Sequence, residues 1–316
     1  TAPAPGIYQG NVTISWLPAT DPNNDPLTYN VNLIGDAGTT QIASNLTVTS
    51  FSLNTSAYPD GFYNISVEAC ESDTDDLFCT DFDLLSNFDE GLCEFFRIRN
   101  GEGGGGIGTT GDPYLICDVC DLQNMKLNLS AHYALNNSID LTGFDWGNWS
   151  DGNGFIPVGN DSTPFTGSLD GLSYDITGLF INRSGTNYVG LFGYINTGGT
   201  VSNASLMNVN ITGRQHVGGL AGYNYGAVNT SSSTGNVTCI DGNCGGLVGV
   251  NYDGGSVANS YSAGNVNGGG SNNIGGLVGY NYNCSVSNSY ATGNVSGNGQ
   301  VGRGGVYPNG PAGHAL

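Results

Sequence analysis

One phrase is written four times along the C-terminal half of this chain, and it constrains the fold more than any other feature. The copies open at Val189 (VGLFGYI), Val217 (VGGLAGYNY), Cys244 (CGGLVGVNY) and Ile274 (IGGLVGYNY), and a degenerate fifth, VGRGG, opens at Val301. The intervals are 28, 27, 30 and 27 residues. Each copy runs on into a second phrase: TVSNASLMNVNITG, AVNTSSSTGNVT, SVANSYSAGNVNG and SVSNSYATGNVSG. A fixed period of this size means a stacked, quasi-one-dimensional architecture, because one repeat cannot bury its own apolar face and must lean on the next.

Within a copy, three short stretches of strand-forming residues (GLVGY at 276–280, SVS at 285–287, NVS at 294–296) are separated by Gly, Asn and Asp. Those residues tolerate the positive φ of tight corners, and no copy carries an apolar stripe at helical spacing. Three strands and three corners per copy predict one coil of an all-β solenoid, with coils about 4.8 Å apart. Stacking then predicts interior columns of Leu220, Leu247 and Leu277, of Val228, Val257 and Val286, and of Val237, Val266 and Val295. Asn224, Asn251 and Asn281 recur at one corner, as a hydrogen-bonded amide ladder or simply as favoured turn residues.

The formal net charge is −20, with six basic residues against 26 acidic ones. Such a surface repels phosphate backbones, so nucleic acid is not an expected partner. Charged residues are only 10% of the chain, which does not read as a salt-adapted surface. No apolar run reaches membrane-spanning length. The chain opens at Thr1 with no visible signal peptide and reads as a mature form or a fragment.

Fifteen Asn-X-Ser/Thr sequons stand at Asn11, Asn45, Asn54, Asn64, Asn128, Asn136, Asn148, Asn160, Asn182, Asn203, Asn210, Asn229, Asn236, Asn283 and Asn294. Random placement of 39 Asn and 53 Ser and Thr in 316 residues would yield six or seven, and copying of GNVS within the repeats accounts for only two or three. The excess points to export, N-glycosylation and an extracellular or cell-surface location. Asn236 and Asn294 are candidates to face an inner amide column instead of a sugar. Eight cysteines in an exported chain point to disulfides. Cys70 and Cys79 flank a hairpin, Cys239 and Cys244 bracket the corner CIDGNC, and Cys117 and Cys120 form a C-x-x-C. Cys93 and Cys284 lack local partners. With no second pair and no nearby His, zinc is not expected at 117 and 120.

Upstream of the repeats the chain changes character. VTISW, LTYNVNLI, SFSLNTS and GFYNISVEAC alternate apolar and polar residues between turn clusters, as in a small β-sandwich. The run WLPATDPNNDPLTYNVNLIGD with YPDGFYNISVEAC resembles fibronectin type III domains of microbial surface proteins. That resemblance implies Trp16 in the core, Tyr63 near the last strands, and a spacer or binding module. We expect this module over 1–90, then an acidic and Gly-rich linker over 91–111 ending in GEGGGGIGTTGD. The acidic run itself extends from Glu71 to Glu94.

From Asp112 to the end at 316 the chain is similar to bacterial and archaeal surface proteins carrying the GLUG motif. The resemblance rests on GTTGDPYLI, LNLSAHYALNNSIDLTGF and GFIPVGNDSTPFTGSLDGLSYDITGLFIN as well as on the repeats. It implies a right-handed parallel β-helix on a secreted or surface protein, of a kind often interpreted as an adhesin, and it carries no catalytic residues across. The degenerate copy at Val301 is either a capping coil or an incomplete one awaiting a neighbour.

Enzymatic readings find little to work with. A glycosidase needs two carboxylates within about 5–10 Å, yet no Glu follows Glu102, and from Val189 onward only Asp241 and Asp253 are acidic. Earlier coils offer Asp161, Asp170, Asp175 and Arg183, with Asp170 reading as a turn residue. GEGGGG lacks the lysine and helix of a phosphate loop. Asp21, Asn23 and Asp25 alternate like calcium ligands, and Asp73, Asp75 and Asp76 cluster, but an Asx-Pro turn explains the first set as well. No cofactor is expected beyond such a calcium ion. Tyr225, Tyr252 and Tyr282 follow the corner Asn in successive coils and form either core or an outward ladder for sugars or protein. The resulting expectation is a non-enzymatic, glycosylated structural protein that assembles head-to-tail with copies of itself into a filament or stalk. The alternative is an adhesin binding glycans or a surface partner through the solenoid; less favoured is a polysaccharide-degrading β-helix enzyme.

Overall fold

The computed structural model describes residues 6–8, 11–16, 18, 26–35, 38–58, 61–71, 79–83, 96–98, 108–149, 151–270, 273–298, 300–302 and 306–308. The chain divides into two units, Thr1–Gly105 and Gly106–Leu316.

In the first unit, Asn11–Ser15 pairs antiparallel with Ser50–Asn54. A larger sheet runs Gly6–Tyr8, Phe96–Ile98, Gly61–Glu71, Leu27–Gly35, Gly38–Leu46, with Cys79–Asp83 also on Gly61–Glu71. Period-2 alternation buries Val12 and Ile14 on one strand and Tyr29, Val31 and Leu33 on another. Together with Leu53, Ile65, Val67 and Ala69 they form one core between the two sheets, each full burial being worth about 1.5–3 kcal/mol. Trp16 closes it, 6% exposed and edge-on to Tyr29 at 5.4 Å. The described residues of the acidic run and of the expected linker include strands. Cys79–Asp83 and Phe96–Ile98 both pair with Gly61–Glu71, because short alternating apolar runs find open sheet positions there. The two units divide between Gly105 and Gly106, within the 91–111 segment read as a linker.

The second unit is a parallel β-solenoid of about four full coils, and its strands pair across coils in register. One wall stacks His132–Leu135, Ser168–Asp170, Thr200–Ser202, Ala227–Asn229, Ser256–Ala258 and Ser285–Ser287. Its inward column is Leu169, Val201, Val228, Val257 and Val286. A second wall bends once along its length and carries Ile181, Ile211, Val237, Val266 and Val295. A third stacks Phe192–Ile195, Ala221–Asn224, Val248–Tyr252 and Val278–Tyr282. Leu191, Leu220, Leu247 and Leu277 lead into this wall and are fully buried. Three strands per coil underestimates the structure. The residue that opens each copy makes a fourth short ladder, Val189, Val217, Cys244, Ile274 and Val301.

The glycine after the Leu-Val or Leu-Ala pair lets the third and fourth walls meet. A Cβ on Gly249 would lie 2.6 Å from both the Gly222 carbonyl and the Val217 amide of the preceding coil, closer than side chains tolerate.

One departure from an all-β fold has a clear purpose. Between Tyr114–Ile116 and His132–Leu135, which are neighbours in the first wall, the chain forms α1 (Val119–Asn124) in place of the second and third walls of an outermost coil. Asp118 caps α1 by accepting from the Asp121 amide at 2.9 Å. Leu122 and the following Met125 are fully buried. Gln123 donates to the Ile156 carbonyl and accepts from its amide, both at 2.9 Å, standing in for a missing strand neighbour. The N-terminal end of the solenoid core is thus closed by a helix.

Candidate functional site

The third wall carries the most distinctive outer surface. Tyr223 and Tyr225 flank the buried Asn224, so alternation sends both rings outward. Tyr194 stands beneath Tyr223 in register, and Tyr252 beneath Tyr282. Because coils repeat at close to ring-stacking distance, the rings pair along the axis. Tyr194 and Tyr223 lie 5.0 Å apart and 3° from parallel, and Tyr252 and Tyr282 lie 4.9 Å apart at 21°. Tyr225 bridges them, 5.7 Å from Tyr194 and 5.6 Å from Tyr252. Tyr280 stacks on Tyr282, and Tyr188 on His216, at 6.3 and 5.1 Å. Such pairs each contribute about 0.5–1.5 kcal/mol. The rings half-bury one another, and Tyr282, at the upper end, is 41% exposed. The Tyr225, Tyr252 and Tyr282 set is therefore an outward ladder, joined by Tyr188, Tyr194, Tyr223, Tyr280 and His216.

This strip is electrically neutral. Burial first, then the neighbouring phenols, push the Tyr194 and Tyr223 hydroxyls far above the ordinary tyrosine range; Tyr252 is raised by the same causes, and Tyr188 by burial and then Asp161. Burial lowers His216. Asn273 Nδ2 donates to Asn243 Oδ1 at 2.6 Å, which turns the Asn243 Nδ2 toward His216 Nδ1 at 3.0 Å. That nitrogen accepts, so the imidazole is neutral with its proton on Nε2.

Behind the strip, the corner asparagines form a ladder and not mere turns. Asn224 Nδ2 donates to Asn251 Oδ1, and Asn251 Nδ2 to Asn281 Oδ1, each at 2.8 Å. All three are buried. A second ladder that sequence reading missed runs through the opposite corner. The Ser231 amide donates to Ser260 Oγ and the Ser260 amide to Ser289 Oγ, both at 3.1 Å. The recurrence of Ser at 231, 260 and 289 was its only signal. On the outside of that corner, Asn259 Nδ2 donates to Asn229 Oδ1 and Asn288 Nδ2 to Asn259 Oδ1, at 2.9 and 3.2 Å, and this row is exposed.

The carboxylates weighed for chemistry hold structure. Asp170 Oδ1 accepts from the Leu172 amide and from Asn203 Nδ2. Asp253 Oδ1 accepts from Asn283 and Asp241 from Gln215. Asp161 is exposed and Asp175 half-buried. Arg183 holds Asp151 in a two-pronged pair at 2.8 and 2.9 Å. Partial burial opposes ionisation of Asp151, but bonds from Arg183 and Asn153 outweigh it and hold its carboxyl at about 2. Among the described residues no three His, Cys, Asp or Glu side chains come together as a metal site. Asp21, Asn23, Asp25, Asp73, Asp75 and Asp76 lie outside the described residues.

Of the sequon asparagines, Asn11, Asn45, Asn54, Asn128, Asn136, Asn160, Asn182, Asn210, Asn229, Asn236, Asn283 and Asn294 are exposed and Asn203 is half-buried. Asn236 and Asn294 thus face outward, not into an inner column. The side chains of Asn64 and Asn148 lie outside the described set. Cys239 and Cys244 are disulfide-bonded to each other. Cys70 is also in a disulfide and lies opposite Cys79 in strand register. Cys117 precedes α1, Cys120 sits buried within it, and Cys93 is outside the described residues. The Cys284 thiol is free and buried, donating to the Tyr282 carbonyl at 3.0 Å. Among the described residues no helix is long and apolar enough to cross a membrane.

With this geometry in view, the repeats match the family described as "The GLUG motif" at residues 213–238 and 270–296, each segment close to one coil. The chain is 41% identical over 151 residues to halomucin of Haloquadratum walsbyi, an alignment covering 46% of this chain and 2% of halomucin. It is 42% identical over 134 residues to a "Putative Gly-rich membrane protein" of Evansella cellulosilytica, covering 40% of this chain and 15% of that protein. The chain therefore spans only a small part of the length of these curated relatives. Among solved structures it is similar to "a putative immunoglobulin A1 protease from Bacteroides ovatus", with a TM-score of 0.43 and 22% identity over 61% of this chain and 69% of that one. That likeness is too distant to bear on activity.

Proposed function

We propose that this chain is a non-enzymatic, N-glycosylated structural segment of an extracellular or cell-surface protein. In this reading a right-handed parallel β-helix is preceded by a fibronectin type III-like spacer, and copies join head-to-tail into a filament or stalk. The observation that carries the reading is the set of uninterrupted axial ladders. Leu, Val, Asn and Ser columns each link coil to coil, as a load-transmitting rod requires. The GLUG repeats, and relatives named as a halomucin and a membrane protein, support a surface setting. The spread of exposed sequons over both units supports glycosylation. The hand follows the near-universal preference of parallel crossovers. Negative-stain microscopy and light scattering of native material test the assembly: filaments are expected, and a monodisperse monomer would remove the head-to-tail claim. Intact-mass and glycopeptide analysis tests the glycans independently.

The tyrosine strip supports a second reading, adhesion to a glycan or protein surface through the third wall. Changing Tyr225, Tyr252 and Tyr282 to Ala together should then abolish attachment with the fold retained, and undiminished attachment counts against it.

A further inference from the structure

The opposite corner of the solenoid holds a concavity of about 260 Å³ that the tyrosine strip does not touch. It arises from one outward column of the second wall. Read along the axis in strand register, that column is Asp175, Ser205, Ser232, Tyr261 and Tyr290. Tall side chains at one end give way to two serines, and the drop leaves a trough. Its other side is walled by the corner residues Ser173, Asn203, Thr230 and Asn259, all in left-handed backbone that turns each coil sharply. From Asp175 to Tyr261 is three coil steps, about 14 Å at the inter-strand spacing.

We infer that this trough is a binding site for a short neutral oligosaccharide, seated across the coils with one sugar ring stacked on Tyr261. The Tyr261 ring is covered on one face by Tyr290, parallel within 9° at 5.4 Å, while its other face looks along the column toward Ser232, where no ring stands. An aromatic face open to a polar trough matches the apolar face and hydroxyl rim of a pyranose. The floor and wall present hydroxyls and amides, with Asp175 as the only charged lining residue. No cationic side chain lines the trough to hold an acidic sugar, and the net charge of −20 repels one. A peptide strand fits poorly, because the trough crosses the strands and offers no open edge to pair with.

Two sequons adjoin the trough. Asn203 lines it but is half-buried with its Nδ2 on Asp170, whereas Asn229 is exposed one residue before Thr230. The sugar can therefore come from outside or from a glycan on Asn229 of the same molecule. The inference does not rest on the stalk reading.

The full chain, made in a host without N-glycosylation, is titrated with maltohexaose, cellohexaose, mannohexaose and chitohexaose. At least one should bind, Tyr261→Ala should weaken it about tenfold, and Ser232→Tyr should block it by extending the ring column into the trough. Ile240→Ala, an exposed change outside both the trough and the tyrosine strip, should leave binding unchanged. If no probe binds, glycosylated protein is treated with endoglycosidase. Protection of the Asn229 glycan that disappears in Tyr261→Ala assigns the trough to the chain's own sugar. No binding and no such protection, or binding indifferent to both trough variants in proteins that melt like the parent, overturns the inference.

Discussion

Two rows of asparagine climb this solenoid at the same coil spacing, and they do different work. Asn224, Asn251 and Asn281 are buried behind the third wall, and Asn229, Asn259 and Asn288 ride the outside of a corner. Their amide bonds have similar lengths, 2.8 Å inside and 2.9–3.2 Å outside. Geometry alone would rank them nearly equal. Burial separates them: an inner amide that loses its partner has no water to turn to, while an outer one does. A repeat can therefore use one residue type as structural mortar at one corner and as soluble decoration at the next.

Breaking the inner row should have the largest effect. Asn251→Ala takes away the acceptor of Asn224 Nδ2 and the donor to Asn281 Oδ1, both buried, at about 1–3 kcal/mol for each group. Chemical denaturation should show a loss of about 2–6 kcal/mol, and a loss below that of the outer variant would erase the distinction. The serine row sharpens the comparison at an intermediate level. Ser260→Ala removes the acceptor of the buried Ser231 amide and should lower stability by about 1–3 kcal/mol.

A pH-gated loss should be smaller. Burial depresses His216, so its contribution to stability is complete above the free imidazole value of about 6.5 and is lost as pH falls through its folded value. Melting temperature followed from pH 8 to pH 5 should decline in the parent and flatten in His216→Gln. An unchanged slope would show that the imidazole is not the titrating group. The smallest change is expected from Asn259→Ala in the outer row, within about 0.5 kcal/mol. A larger loss would mean that the outer row too is shielded from water.

Much of this was legible in the sequence because a repeat reports its own register. Once the four copies are aligned, Leu220 must lie beneath Leu247 and Val228 beneath Val257, whatever the details of the turns. The same alignment placed Tyr225, Tyr252 and Tyr282 in one column. It could not tell inside from outside, since Asn and Tyr are adjacent and either could face the core. Only the packing of the coils showed that Asn251 is buried and Tyr252 partly exposed. Features outside the repeat were harder to see. The α1 cap has just six residues, too short for a periodic signal, and its role comes from Gln123 meeting Ile156, 33 positions away. The trough was hidden for a related reason, as it depends on Ser205 and Ser232 being small beside Tyr261, a contrast that matters only once they share a column.

By itself, then, the sequence determined the stack: its period, its apolar columns and its corner residues, because a repeat too small to bury its own core leaves stacking as the one solution. The tertiary structure alone decided which face each column presents, where the end is closed, and where the surface sinks. Those outcomes hang on backbone phase and on contacts between residues far apart in the chain, which no local pattern encodes.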